Sequence, residues 1–226
     1  MGPAMVANLQ SISIPRYAYA FLSDELADLS AIYESDINIC IVKRPVDSVL
    51  ENFVDTLLLT KNEVSFVENI KPSEFDFSHL IKNAEHLPGY RDFCMDVGRL
   101  AVIFSDLFDL KRVGLRLRTL DKPMCPRFHV DSVTCRLVCT YGGMGTEWLE
   151  DVYVDHVKLG SASAGLMDEH SGLILDPDAV HIMPTYAVGL LKGNAWEGNE
   201  QHGAVHRSPQ VNQALPRRLL LTLDFG

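Results

Sequence analysis

Two histidines and one aspartate have the spacing of a metal site in this sequence. One residue separates His129 from Asp131, and His206 follows much later in the chain. Alternate side chains of a β-strand share a face, so His129 and Asp131 can reach one ion while Val130 points away. Two imidazoles and one carboxylate with open coordination positions are typical of non-haem Fe(II) oxygenases. The pattern predicts His129, Asp131 and His206 as metal ligands and catalytic residues; the alternative is a structural cluster of hydrogen-bonded histidines.

Two arginines follow His206 by eleven and twelve residues and begin an apolar run. A guanidinium binds a carboxylate through two parallel hydrogen bonds, so either arginine can clamp a dicarboxylate cosubstrate. Alternation along a strand places Arg217 with Leu219, Leu221, Leu223 and Phe225, and places Arg218 with Leu220, Thr222 and Asp224. The more polar second face favours Arg218 as the cosubstrate residue and leaves Arg217 as the alternative. Thr222 is the nearest hydroxyl on the face of Arg218.

The other histidines have weaker spacing signals. In a strand, His202 shares a face with His206, so it is either a group beside the metal or, as we favour, an exposed loop histidine. His156, His170 and His181 have no partner at ligand spacing and are predicted to be structural or exposed. Several further residues are candidate linings of a binding pocket, although core packing is the more common role of such aromatic residues: Tyr141, Thr146, Trp148, Lys192 and Trp196.

Composition excludes several classes of protein. The chain has 226 residues, is 47% hydrophobic and carries a formal net charge of −10, which disfavours nonspecific nucleic-acid binding. Its apolar stretches are shorter than the ~20 residues that span a bilayer, so no membrane segment is expected. The first ten residues do not resemble a secretory signal. The five cysteines are irregularly spaced, so we expect a cytoplasmic protein with reduced thiols and with Cys135 and Cys139 in the core.

Apolar periodicity divides the chain into two parts. Residues 1–111 are predicted to be mainly helical, and residues 112–226 to be a series of short strands, together forming one integrated domain. Many short strands in one series indicate a barrel or jelly roll, so the expected class is α+β with an N-terminal helical layer. The predicted helices are 23–33, one beginning at Pro45, and Gly89 to Leu110. The predicted strands are 37–42, one beginning at Arg112, 133–141, 151–158, 186–192, 203–207 and 217–225.

Two segments give the chain a family resemblance. The order of His129, Asp131, His206 and Arg217/Arg218 resembles the double-stranded β-helix, a cupin-like jelly roll, of the Fe(II)/2-oxoglutarate-dependent oxygenases. The segments 125–131 (CPRFHVD) and 136–141 (RLVCTY) resemble a bacterial family, domain of unknown function 1826, over the whole chain. The first resemblance implies that His129, Asp131 and His206 bind iron and that Arg218 or Arg217 binds the distal carboxylate of 2-oxoglutarate.

The leading hypothesis is therefore an Fe(II)- and 2-oxoglutarate-dependent oxygenase, with a hydroxylase as the expected activity and a primary substrate that the sequence does not identify. The alternative is a cupin-like protein that binds zinc or another divalent metal for metal homeostasis without oxygenase activity. Three protein ligands and a water suit catalytic zinc equally well. A metal-free interaction module is the third hypothesis. The expected partners are a small-molecule cosubstrate and neither nucleic acid nor a membrane.

Overall fold

The computed structural model describes residues 17–60, 63–163, 165–210 and 217–226, apart from the side chains of residues 161 and 162. The α-helices are α1 (Ser48–Leu59), α2 (Tyr90–Leu107) and α3 (Asp168–Ser171). The strands are β1 (Tyr19–Ser23), β2 (Ile37–Val42), β3 (Ser65–Ile70), β4 (Val113–Leu120), β5 (Cys135–Gly142), β6 (Glu147–Leu149), β7 (Val180–Ile182), β8 (Val188–Lys192), β9 (His206–Arg207) and β10 (Arg218–Phe225). Short 3₁₀-helices are Leu26–Tyr33, Phe77–His79, Asp151–Tyr153, His156–Lys158, Gly160–Ser163 and Pro177–Ala179.

The strands form two sheets in a mixed fold of helices and strands. The large sheet has the order β1-β2-β8-β5-β10-β4-β3, and the small sheet has the order β7-β6-β9. Only the β1–β2 pair of the large sheet is parallel. Among the residues described above, no strand ladder joins the two sheets into a closed barrel. The predicted mixed class of helices and strands is confirmed, and the double-stranded β-helix stays a prediction.

Helices α1 and α2 cover one face of the large sheet. Helix α2 presents Phe93, Val97 and Phe104, each fully buried, to the same apolar cluster as Phe53 of α1. The strand residues that face this cluster are the alternate apolar ones, as the predicted two-residue period requires. On β5 they include Cys135 and Cys139, so the prediction that these cysteines pack in the core is confirmed. All five cysteines of the chain are free thiols.

A smaller apolar cluster lies between the two sheets. It joins Val138 of β5 and Leu191 of β8, in the large sheet, to Trp148 of β6 in the small one. The rest of this space is polar, because the inward residues of β4 and β10 include Arg116, Arg118, Arg218, Thr222 and Asp224. The two sheets therefore enclose a region in which buried polar groups lie beside apolar ones.

The structure corrects several predicted elements. The segment 23–33 begins in β1 and continues as a 3₁₀-helix rather than an α-helix. Helix α1 begins at Ser48 and not at Pro45, because the carboxylate of Asp47 caps it by accepting the backbone N–H of Val49 at 2.9 Å. The predicted strand 151–158 is instead two 3₁₀-helices, the second of which is capped by Asp155 through the backbone N–H of Val157. The strands β1, β3, β6 and β7 were not predicted.

The first half of the chain also contributes strands to the sheet. Strand β2 pairs with β8, and β3 pairs with β4, so residues before and after position 111 share the large sheet. None of the helices in the described ranges has both the length and the apolar character needed to cross a membrane.

Candidate metal centre

The side chains of His129, Asp131 and His206 meet between the small sheet and the beginning of β5. The Nε2 atom of His129 lies 3.5 Å from Oδ1 of Asp131, and Nε2 of His206 lies 3.3 Å from Oδ2 of the same carboxylate. The two imidazole centroids are 4.6 Å apart. One donor atom of each residue therefore lies within 4.8 Å of the other two, as expected of ligands to one ion. We call this group the triad.

The backbone fixes the positions of the triad. His129 and His206 are direct antiparallel partners, and each donates its N–H to the carbonyl of the other at 3.0 Å. The carbonyl of Asp131 accepts the N–H of Asn194 at 3.0 Å. A Cβ atom at Gly203 would lie 2.2 Å from Cγ1 of Val130, so only glycine permits this approach of the two segments. The two ligand segments are thus held together before any ion binds.

Backbone carbonyls also set the orientation of both imidazoles. The Nδ1 atom of His129 lies 2.9 Å from the carbonyl oxygen of Arg127, and Nδ1 of His206 lies 3.0 Å from that of Ala204. A carbonyl only accepts hydrogen bonds, so in the neutral rings the proton resides on Nδ1 and the Nε2 lone pair faces Asp131. Metal-binding histidines commonly have such a partner on their second nitrogen. The triad therefore brings together three electron-pair donors, an arrangement that a cation or added protons must balance.

Arg136 connects the triad to the last strand. Its Nη1 atom donates to Oδ2 of Asp131 at 2.6 Å, and its Nε donates to Oδ1 of Asp224 at 2.6 Å. Asp224 also pairs with Arg116. Burial opposes ionisation of Asp131, but hydrogen bonds from the two imidazoles in their protonated forms, together with the charges of protonated His206 and of Arg136, lower its pKa well below the usual value. Asp131 is thus ionised at neutral pH and ready to bind a cation.

The pKa of His129 is raised above its usual value. Burial favours the neutral ring, but this effect is outweighed by the hydrogen bonds to Asp131 and to the carbonyl of Arg127, and by the charge of Asp131. Since a metal binds only the neutral imidazole, a proton and a metal ion compete for Nε2 of His129.

A buried guanidinium lies deeper between the sheets. Arg218 is 1% exposed, and its Nη2 atom donates to the hydroxyls of Thr140 at 3.2 Å and Thr146 at 3.3 Å. Its Nε and Nη1 atoms are buried without a hydrogen-bond partner anywhere in the described ranges. Burial lowers the pKa of Arg218 to about 10, against the opposing charge of Glu147. The group remains protonated at neutral pH, so an unpaired cation is buried here.

The two predicted arginines occupy different environments. Arg217 donates from Nε to Oδ1 of Asp121 at 2.6 Å and from Nη1 to the carbonyl of Leu58 at 3.5 Å, at the surface. Arg218 points between the sheets, as the alternation predicted. The hydroxyls on Arg218 come from Thr140 and Thr146; Thr222 lies four residues further along β10, opposite Arg116 and Val138.

The remaining pocket candidates separate into two groups. Thr146 and Trp148 lie between the sheets, with Trp148 opposite His206. Tyr141, Lys192 and Trp196 lie on the helical side: the Tyr141 hydroxyl donates to Asp96 at 2.6 Å, and the Lys192 ammonium, 4.6 Å from the Trp196 ring, donates to the carbonyl of Glu34.

A cavity of about 610 Å³ opens beside His129 and has two more histidines in its wall, His156 and His202. Both contact the carboxylate of Asp151, a pairing that the sequence spacing did not predict. His202 lies in a turn with its side chain 40% exposed, as the preferred loop assignment predicted. Of the others, His170 is exposed, and His181 pairs with Glu150 at 3.1 Å. Sequence reasoning missed Asp151, Thr140 and Arg136 as site residues. Thr140 and Asp151 each have a partner distant in sequence, Arg218 and His202, whereas Arg136 and Asp131 are only five residues apart but belong to different local elements.

Comparison with solved structures relates this fold to that of known oxygenases. The chain is similar to a dioxygenase for auxin oxidation from rice, with 13% identity, 92% of this chain and 82% of that chain covered, and a TM-score of 0.51. It is also similar to a Neurospora crassa protein whose crystal structure is a complex with alpha-KG (2-oxoglutarate) and thymine, with 10% identity, 95% and 87% coverage, and a TM-score of 0.51. At these identities the similarity establishes the fold class.

The family follows from the sequence itself. The sequence profile described as "Protein of unknown function (DUF1826)" matches residues 23–224, so the chain belongs to the DUF1826 family. No curated protein matches the sequence. The predicted family membership and the predicted similarity to the oxygenase fold are both confirmed.

Proposed function

We propose that this chain is an Fe(II)- and 2-oxoglutarate-dependent oxygenase, with hydroxylation as its reaction. The observation that carries the proposal is the buried guanidinium of Arg218, whose Nε and Nη1 atoms have no hydrogen-bond partner in the described ranges. It lies on the face of β10 that also bears Asp224, and Asp224 binds Arg136 beside the triad. A buried charge without a partner is costly, so its retention indicates that an anion completes the site. A metal-binding protein without a cosubstrate would leave this group unexplained.

The geometry of the triad supports iron as its ion. The N–O separations of 3.3 and 3.5 Å leave room for an ion between the donors, and the side of His129 opens to the cavity. His129, Asp131 and His206 would hold one face of Fe(II), leaving positions for 2-oxoglutarate and oxygen. When bound, iron would supply the redox chemistry, while the protein binds, orients and shields the reactants.

Arg218 would bind the distal carboxylate of 2-oxoglutarate. Its partner Thr146 directly precedes β6, two residues before Trp148, and Trp148 lies opposite His206. Two residues of a strand span about 7 Å, a distance that suits the carbon chain of a five-carbon dicarboxylate. Nε and Nη1 of Arg218 would donate to the carboxylate, with the hydroxyls of Thr140 and Thr146 beside it. Under this proposal Arg217 and Thr222 have no direct role.

The fold supports the same reading. Strands β4, β10, β5 and β8 face β7, β6, β9 and the bridge at His129, and we propose that these eight segments form the core of a double-stranded β-helix. Residues 1–111 would then be a layer of helices and edge strands integrated with that core. The alpha-KG bound in the Neurospora crassa structure agrees with 2-oxoglutarate as the cosubstrate.

The experiment is calorimetry of 2-oxoglutarate binding to protein loaded with Fe(II) under anaerobic conditions. Hydrogen bonds to charged groups contribute about 1.5–3 kcal/mol, so Arg218→Ala should weaken binding by about one to two orders of magnitude. Arg217→Ala is the matched control, because it removes the same charge one position away on the opposite face, and it should bind as the wild type does.

Iron affinity should be unchanged in both variants, since neither arginine contacts the triad. Wild-type protein that binds iron but not 2-oxoglutarate would contradict the proposal and favour a zinc or divalent-metal protein of the same fold.

A further inference from the structure

A second cluster of two imidazoles and one carboxylate lies beside the same cavity. Oδ1 of Asp151 is 2.6 Å from Nε2 of His156, and its Oδ2 is 2.9 Å from Nδ1 of His202 and accepts the backbone N–H of Ala18 at 3.0 Å. One donor atom from each of the three side chains lies within 4.8 Å of the other two. We call Asp151, His156 and His202 the Asp151 cluster.

Asp151 is exceptional among the buried carboxylates in its charge balance. Four carboxylates of the described chain are buried: Glu147, Asp151, Asp168 and Asp224. Glu147 pairs with Arg207, Asp168 with Arg127 and Arg207, and Asp224 with Arg116 and Arg136. Asp151, whose side chain is 1% exposed, contacts two imidazoles and one backbone amide of the described chain. Neither an arginine nor a lysine within the described ranges balances its charge.

Either protonated imidazoles or a bound cation can balance the charge of Asp151. A buried carboxylate is costly unless a positive charge accompanies it. An imidazole supplies that charge only when protonated, whereas a divalent ion supplies it while the imidazoles remain neutral. Neutral imidazoles and a carboxylate are also the ligands that zinc prefers, and three protein ligands with an open fourth position form the zinc sites that accept water or a ligand.

The cluster has both the freedom and the access to bind an ion. The present 2.6 and 2.9 Å separations are hydrogen-bond distances, so the donors must move apart by a few tenths of an ångström to admit a metal. His156 and His202 are 29% and 40% exposed at their side chains, one on a short 3₁₀-helix and the other in a turn. Both line the cavity of about 610 Å³ that His129 also lines, so the open side of the cluster faces that cavity.

We propose that Asp151, His156 and His202 bind a second divalent cation, with zinc as the best-matched ion. The site uses no residue of the triad and does not depend on the proposed oxygenase activity. It would place a second positive charge in the wall of the cavity next to His129, where an anionic or oxygen-bearing group of a bound molecule can reach it.

The test is the count of bound ions in full-length protein stripped with a chelator and titrated with Zn²⁺ or Co²⁺, with bound metal measured by mass spectrometry after gel filtration. Wild type should bind two ions. His156→Ala/His202→Ala should bind one, and His129→Ala/His206→Ala should also bind one. The matched control His79→Ala/His86→Ala removes two exposed histidines outside both clusters and should bind two.

Asp151→Asn provides a second test if the double variant folds poorly, since it preserves shape and removes the charge; it too should bind one ion. Circular dichroism checks the fold of each variant. A wild type that binds one ion, lost only in His129→Ala/His206→Ala, would overturn the second site and leave the proposed function standing. A single ion lost only in His156→Ala/His202→Ala would support this site and contradict the iron centre. A wild type that binds no ion would contradict both.

Discussion

The triad and the Asp151 cluster have the same composition and differ in spacing and charge. In the triad the N–O separations are 3.3 and 3.5 Å, and backbone carbonyls hold both Nδ1 atoms. In the Asp151 cluster the corresponding separations are 2.6 and 2.9 Å, and the imidazoles bind the carboxylate directly. Arg136 balances Asp131, whereas Asp151 has no such partner in the described ranges. The further hydrogen-bond partners of the imidazoles and the carboxylate, rather than the ligand types alone, therefore decide whether the donor atoms are spaced for an ion or for hydrogen bonds.

The largest expected effect is on Fe(II) binding, and it separates two variants in which the carboxylate of Asp131 or that of Asp151 is replaced by an amide. Asp131→Asn should abolish Fe(II) binding at the triad, because an amide lacks the negative charge that a divalent ion needs. Asp151→Asn should leave the Fe(II) affinity of the triad within a few fold of wild type. Equilibrium dialysis of both variants against Fe(II) measures the difference. Equal loss in the two would mean that the clusters are one coupled unit.

Arg136 should have the next largest effect on metal binding. Arg136→Ala removes the donor that orients Asp131, and groups of this kind typically change metal affinity by about 10–100-fold. Arg116→Ala, which removes a partner of Asp224 but no contact to Asp131, is the control and should change affinity little. Competition with a metal-binding dye would report both values. Unchanged affinity in Arg136→Ala would show that the triad is fixed by its backbone alone.

Removing the buried charge of Arg218 should raise the stability of the ligand-free protein. Arg218→Met fills the same space without an unpaired cation, and replacing buried charge with apolar groups is often stabilising by about 1–4 kcal/mol. Urea denaturation at neutral pH, where the pKa of about 10 keeps Arg218 charged, measures the change. Adding 2-oxoglutarate should then stabilise wild type but not the variant. A variant less stable than wild type would mean that the guanidinium is already compensated.

The smallest effect is the dependence of the triad on pH. Because the pKa of His129 is raised above 6.5 in the fold, its protonated form stabilises the metal-free protein fully below 6.5, and that contribution is lost as pH rises through the raised pKa. Metal binding has the opposite dependence, since protons compete with the ion, so affinity should fall as pH decreases through the same range. Metal titrations at a series of pH values check this. Affinity that is flat across the range would exclude His129 as a ligand.

Local pattern predicted some of this site and long-range contacts determined the rest. The two-residue period correctly separated Arg217 from Arg218, because both faces of β10 are buried and only one is apolar. The spacing of His129 and Asp131 likewise required only a local extended segment. The Asp151 cluster was not predictable in this way, since its carboxylate binds Ala18 and His202, which are distant in sequence.

The helices and strands show the same division between what local pattern predicts and what other contacts determine. The apolar stripe predicted α2 nearly to its ends, because packing on the sheet needs a continuous apolar face. The segment 151–158 contains three β-branched valines, which favour a strand, yet Asp155 binds the backbone N–H of Val157, and such side-chain bonds compete with strand pairing. The hydroxyl beside Arg218 was assigned to Thr222 on its own strand, but neighbouring chain segments supply Thr140 and Thr146.

Under the proposed function, iron and 2-oxoglutarate share one site made of the triad and Arg218. The most direct measurement is an anaerobic titration of the Fe(II)-loaded protein with 2-oxoglutarate, monitored by visible absorption. Chelation of the iron by the cosubstrate should produce a charge-transfer band that saturates at one equivalent, is absent in His129→Ala/His206→Ala, and needs much more 2-oxoglutarate in Arg218→Ala. A wild-type protein that binds iron at the triad but gives no band at saturating 2-oxoglutarate would contradict the account.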